Sequence, residues 1–225
     1  MKIIIFDTET TGLPKSRQSL VTDTHDWPHI VQFSYIIYDM TTNKLDKVFD
    51  SIICLDESIE IPEESSNIHG ITKELSLEKG NPIKIVIDEF MEDIKQCNML
   101  IAHNMEFDMN MVIVELLRLN KQNEDFIELN SINYEQLMKI EKYCTMKEME
   151  KKCNIKAISK NGREYTKFPT LAELHYHLFK NYPKNLHNSL NDILICFRCY
   201  FWIITKKDIY ITNNQIAELL GPLII

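Results

Sequence analysis

Four carboxylates and one imidazole stand out as residues able to do chemistry together: Asp7, Glu9, Asp108, His187 and Asp192. Asp7 and Glu9 flank Thr8 directly after Lys2-Ile3-Ile4-Ile5-Phe6, an apolar, β-branched run that reads as a buried strand. Strand side chains alternate faces, so the two acids project from the same side of the sheet, close enough to share a cation. An acid-x-acid triplet followed by Thr10-Thr11-Gly12-Leu13-Pro14 also reads as a plain solvent turn, so the remaining acids decide between the two.

Asp108 falls in the first turn of a helix predicted from Met105 to Leu119, just after a short strand, Met99-Leu100-Ile101-Ala102, that ends in His103-Asn104. A carboxylate there is favoured by the helix dipole alone, yet it also points back toward the carboxyl edge of the strand. His187 and Asp192 lie at the start of an apolar helix read from Leu186 to Ile204. Five residues correspond to a rotation of about 140°, so they do not share a helix face. The histidine, at the helix start, can bend over the site.

The elements that must position these groups follow from pattern. Ile30 to Asp39 is a long apolar strand, Thr41-Thr42-Asn43-Lys44 a hairpin turn, and Val48 to Cys54 a third strand. Ile61-Pro62 breaks the chain, Asn67 to Thr72 is a turn with Thr72 placed as a cap, and apolar residues from Ile83 to Ile94 recur at helical spacing within Pro82 to Gln96. Asn120 to Asn133 reads as loop and Tyr143-Cys144-Thr145-Met146 as a fifth strand. Two helices are expected at Lys147 to Cys153 and Leu171 to Phe179, either side of a Ser159 to Arg163 turn. A meander followed by helix and strand alternation predicts an α/β sandwich on a mixed sheet. Sites in such sheets lie at the carboxyl ends of the strands.

At this point the chain resembles the DEDDh branch of the DnaQ-like 3′-5′ exonuclease superfamily, in its proofreading and TREX-like members. The motifs that carry the resemblance are Asp7-Thr8-Glu9, His103 through Asp108, and His187 through Asp192, supported by Trp27-Pro28-His29-Ile30-Val31-Gln32 and Ile68-His69-Gly70-Ile71-Thr72. The branch that uses tyrosine would place its phenol where Asn188 stands. The resemblance implies a ribonuclease H-like fold: a mixed five-stranded sheet flanked by helices, with the exonuclease domain at residues 1–205 and a C-terminal extension, 206–225, packed on it.

It further implies two Mg2+ ions, with Mn2+ as a substitute, held by Asp7, Glu9, Asp108 and Asp192, and His187 as general base. Such ions about 3.5 to 4 Å apart stabilise both the attacking and the leaving oxygen of a phosphodiester, and oxygen ligands select them. Without metal the four acids repel one another, which raises their pKa values. Substrate contacts are expected at Thr10, through its backbone, and at Leu13, His69, Asn104 and Phe107. The implied substrate is the 3′ end of single-stranded or frayed nucleic acid, DNA favoured over RNA, with release of nucleoside 5′-monophosphates. RNA or oligoribonucleotide trimming, or a low-turnover binding subunit of a polymerase complex, are the alternatives.

The whole-chain properties set bounds on this reading. The 225 residues suffice for one core, and a formal charge of −8, from 25 basic and 33 acidic residues, argues against binding a polyanion by bulk charge. From Lys139 to Lys167, however, nine basic residues outnumber four glutamates. Six scattered cysteines read as reduced core positions, including Cys196 and Cys199 despite their C-x-x-C spacing. No signal peptide or membrane span is evident, so an intracellular, soluble protein of cytoplasm or nucleus is expected, with no membrane partner and possible polymerase or self-association through the apolar tail.

Overall fold

The computed structural model describes residues 1–121 and 134–224. The expected loop from Asn120 to Asn133 therefore lies mostly outside the described residues. Strand β1 (Lys2–Thr10) is central, and Ile3, Ile4 and Ile5 are each fully buried. Alternation sends Ile4 and Phe6 into one core layer and Ile3 and Ile5 into the other, so a single strand organises both faces of the sheet. Each such side chain contributes about 1.5 to 3 kcal/mol on burial.

β1 pairs antiparallel with β2 (Ile30–Asp39), which pairs antiparallel with β3 (Lys44–Ile52). On its other side β1 runs parallel to β4 (Met99–Ala102), and β4 to β5 (Glu141–Cys144). The order is β3-β2-β1-β4-β5, the mixed five-stranded sheet that the pattern predicts.

Between β3 and β4 run α1 (Glu63–His69), α2 (Lys73–Lys79) and α3 (Ile83–Ile94). The predicted turn at Asn67 to Thr72 is in part the end of α1, which stops at Gly70 because only a left-handed residue (φ 76°) reverses the chain there. Thr72 caps α2 as expected, accepting from the Leu75 N–H. α4 (Met105–Lys121) and α3 cover the layer holding Ile4 and Phe6.

The opposite layer holds α5 (Thr145–Cys153), α6 (Leu171–Phe179) and the apolar α7 (Ser189–Thr205), with α8 (Ile209–Thr212) and α9 (Asn214–Ile224) after it. α6 begins at a capping box, in which Thr170 and Glu173 satisfy each other's backbone N–H. Leu220 and Leu223 of α9 are buried in the layer that α7 fills.

Three expectations need correction. The fifth strand begins earlier, at Glu141, and Thr145 already opens a helix, since its buried hydroxyl bonds to Ala102 O. The Ser159 to Arg163 turn joins two short strands, β6 (Lys156–Ile158) and β7 (Glu164–Thr166), which form a separate hairpin. The helix read from Leu186 starts at Ser189 instead, because Asn188 is its cap and His187 adopts φ 68°, outside helical geometry. Among the described residues no helix is long and apolar enough to cross a membrane.

Candidate active site

β1 delivers Asp7 and Glu9 to the carboxyl edge of the sheet on the face that α7 covers, where Ile3 and Ile5 precede them. The first turn of α7 brings Asp192 against them. One carboxylate oxygen from each of Asp7, Glu9 and Asp192 lies within 4.8 Å of the others, a spacing that suits a common cation.

Asp108 enters from the other side of β1, on α4, and is buried. Its Oδ1 accepts from the Thr8 N–H at 3.1 Å and the Thr8 hydroxyl at 2.8 Å, so one of its oxygens is already engaged. It stands outside the three-carboxylate cluster but close enough for its charge to act on Asp7 and Glu9.

The electrostatics express that crowding. Burial, then the charges of Asp108, Asp192 and Glu9, push Asp7 well above the usual carboxylate range. Burial, then the charges of Asp192 and Asp108, raise Glu9 to about 8. Asp108 rises to about 7, chiefly by burial and against the pull of its Thr8 hydrogen bonds, and burial takes Asp192 to about 7. Acids in this state are poor company for one another without a compensating positive charge. The donor set, all hard oxygens, fits a divalent cation.

His187 sits on the rim. Its imidazole is exposed and makes no hydrogen bond among the described residues, while its backbone N–H donates to the Asp192 carboxylate at 3.3 and 3.4 Å. The histidine is thus tied to an acid of the cluster through its main chain, not through a shared helix.

Residues expected to meet substrate divide by exposure. Leu13 is 81% exposed, beyond a turn in which the Thr10 hydroxyl donates to Gly12 O. Phe107 is half-buried against the α4 layer, and Asn104 holds φ 72° with its carbonyl accepting from Phe107 N–H, at the start of α4. His69 is buried at the end of α1; its Nδ1 accepts from Ile71 N–H, and its other edge faces the Thr10 backbone.

Sequence reasoning passed over a network beneath the site. Gln32 Nε2 donates to Asp50 at 2.8 Å and its Oε1 accepts from Ser189 N–H at 3.2 Å and Asn188 Nδ2 at 3.3 Å. Ser34 bonds to both Asp50 and Ser189. A glutamine and a serine in a run otherwise apolar, Ile30 to Tyr38, were the available signal, because buried polar groups need partners. His103 was likewise unassigned: its ring is held between the Thr145 hydroxyl and Pro169 O.

Comparison with known proteins agrees with this fold. The family model for the RNase T exonucleases matches residues 4–200. DNA polymerase III subunit epsilon of Buchnera aphidicola is 29% identical over 222 residues, covering 96% of this chain and 78% of that protein. Exonuclease I of Methylocaldum szegediense superposes with a TM-score of 0.62 at 15% identity, and E. coli exonuclease I in complex with a dT13 oligonucleotide with 0.63 at 12%. The matches cover 97% and 98% of this chain but 44% and 43% of theirs. Exonuclease X, solved with 5′ overhanging duplex DNA, gives 0.53 at 19% identity over 97% of this chain and 99% of its own. This chain belongs to the RNase T exonuclease family and is a DnaQ-like 3′-5′ exonuclease.

Proposed function

We propose that the enzyme removes nucleotides one at a time from single-stranded or frayed DNA 3′ ends, releasing nucleoside 5′-monophosphates. The observation that carries this is the convergence of Asp7, Glu9 and Asp192 within 4.8 Å beside a buried Asp108, four acids whose protonation is favoured until positive charge arrives. Asp7, Glu9 and Asp192 would hold the divalent ions, magnesium by preference and manganese as substitute, with Asp108 acting largely through water because Thr8 engages its Oδ1. When bound, two such ions supply charge to the phosphate and lower the pKa of the attacking water.

The chain's own groups do the rest. His187 takes the proton from that water, as an exposed imidazole tethered to the cluster by its backbone. Leu13, open to solvent, wedges against the last bases, and Phe107 packs beneath the terminal nucleotide. Thr10 offers backbone to the 3′-hydroxyl, Asn104 reaches the phosphate, and His69, buried behind Thr10, lies next to the terminal base. Apolar wedging and stacking accept any base.

DNA is favoured over RNA because the named relatives include a DNA polymerase subunit and exonucleases solved on DNA. The polymerase relative also makes a polymerase the fitting protein partner. The test is incubation of 5′-labelled DNA and RNA oligonucleotides with protein and magnesium, beside Asp7→Asn and His187→Ala. Stepwise shortening of DNA that both variants lose supports the reading; full-length labels with the unaltered enzyme overturn it.

A further inference from the structure

The β6–β7 hairpin stands outside both core layers, and its composition runs against the rest of the chain. From Lys156 to Lys167 it carries Lys156, Lys160, Arg163 and Lys167 against one acid, Glu164, in a protein of formal charge −8. Two of those cations are engaged: Lys156 Nζ donates to the Thr166 hydroxyl at 3.0 Å, and Lys167 pairs with Glu173 at 2.6 Å. The other two, Lys160 and Arg163, form no ion pair among the described residues. Their turn is preorganised by Ser159, whose hydroxyl donates to Arg163 O and accepts from Arg163 N–H, and by Gly162 at φ 80°.

The hairpin also presents apolar surface that packs on nothing in the two core layers. Ile158 is 75% exposed and Tyr165 48%, and Phe168, just past the hairpin's base, 44%. An isolated two-stranded hairpin is marginal in water, so aromatic side chains left in solvent on one do not serve its stability. Arg163 and Tyr165, two positions apart entering β7, fall on the same face. A cation and an aromatic ring side by side is the pairing that meets a phosphate and a base of a single strand.

Its base is fastened to the candidate site. Lys167 N–H closes the hairpin on Ile155 O, and two residues later Pro169 O meets His103 Nε2 at 3.0 Å. His103 follows β4 at the carboxyl edge of the sheet and precedes Asn104 and Asp108 by one and five residues. Three residues of strand extend about 10 Å, so the turn stands about that far from a base that is anchored, through Pro169 and His103, to the edge carrying the acids.

We propose that this hairpin is a binding arm for single-stranded nucleic acid upstream of the 3′ end, with Lys160 and Arg163 on phosphates and Tyr165 stacked on a base. The proposal rests on the 3′-end reading above, and it assigns the arm affinity for the strand, not a part in the chemistry.

The test compares Lys160→Glu/Arg163→Glu and Tyr165→Ala with the unaltered enzyme on a thymidine dinucleotide and a twenty-nucleotide oligothymidylate. The arm predicts that the advantage in kcat/KM of the long substrate over the short one falls about tenfold in each, since stacking and phosphate contacts are worth that much. A defect of folding lowers both substrates together and leaves the ratio unchanged, which overturns the proposal. Binding of the same oligonucleotide by fluorescence anisotropy, in an Asp7→Asn background with calcium, separates the two readings. A salt dependence shallower by about 1.4 in log-log slope for the double charge reversal supports the arm even if no hydrolysis is found. An unchanged slope overturns the arm while leaving the 3′-end reading intact.

Discussion

The Gln32 side chain reaches from near the start of β2 to the first turn of α7, where its Oε1 accepts the Ser189 N–H at 3.2 Å. Gln32 and Ser189 are both buried, so no water is at hand to replace that acceptor. The same oxygen takes Asn188 Nδ2, and Asn188 is the cap that adjoins His187. A residue on the sheet thereby sets where the rim histidine leaves the backbone.

Gln32→Leu should cost about 1 to 3 kcal/mol, the penalty of an unsatisfied buried donor, read as a lower melting temperature. It should also lower kcat more than it raises KM, because His187 and not the nucleotide pocket loses its support. Gln32→Glu paired with Asp50→Asn keeps both hydrogen bonds with donor and acceptor exchanged between the two residues. That pair should regain most of the kcat lost in Gln32→Glu alone. If the double variant is no better than the single, Gln32 does not act through this network.

His187→Gln should reduce kcat by about 10²- to 10⁴-fold, the worth of general base catalysis, while metal affinity measured by calorimetry changes little. The imidazole touches none of the carboxylates by hydrogen bond; only its main chain does, and the substitution keeps that N–H. A loss of metal binding equal to the loss of rate would instead make His187 part of the cation site.

Much of this architecture could be read in the sequence because it is local. Apolar spacing from Ile83 to Ile94 reports a buried face directly, and the β-branched run from Lys2 to Phe6 reports a buried strand. The acids were legible for the same reason: each falls at the end of a strand or in the first turn of a helix. What escaped is set by individual hydrogen bonds and short pairings, which leave no periodicity in the sequence. Strands β6 and β7 have three residues each, too few for alternation to register against the neighbouring helices. The left-handed backbone of His187 follows from the Asn188 cap and the Asp192 carboxylate together, which no spacing of residue types discloses.

Arg118 supplies another test, since its reach across the fold was equally hidden. Its guanidinium donates to the Thr24, Trp27 and Pro28 carbonyls and pairs with buried Glu115 at 2.6 Å. The segment it grips holds the Thr10 to Leu13 turn, because His29 N–H donates to the Thr11 hydroxyl and Thr11 N–H to His29 O. Arg118→Met should destabilise by about 3 to 5 kcal/mol, leaving Glu115 buried without its partner. Adding Glu115→Gln should recover part of that in a urea melt. Equal stability of the single and double variants would mean that the ion pair carries no weight and that the carbonyl contacts alone hold the segment.

Stability should also respond to pH in a direction opposite to that of most acid-rich proteins. Glu9 at about 8, and Asp108 and Asp192 at about 7, hold their protons in the folded chain at pH values where the unfolded chain, with carboxyls near 4, has released them. The folded state therefore binds more protons, and its stability falls as pH rises through that interval. His29, His103 and His175, lowered by burial to about 4, work the other way, but only below about 6.5, where unfolded histidine still titrates. The informative window is thus pH 6.5 to 8.5, roughly bounded by those values. In chelator the protein should lose on the order of 2 kcal/mol across it, about 5 °C in melting temperature for a chain of this size. Magnesium should oppose the loss, most strongly at the alkaline end, because the ion binds the deprotonated acids. Asp7→Asn removes one charge from the cluster and should flatten the slope in chelator while weakening the response to magnesium. A melting temperature that climbs with pH in chelator would mean that the four acids do not repel one another in the folded protein, and the case for a cation among them would lose its electrostatic basis.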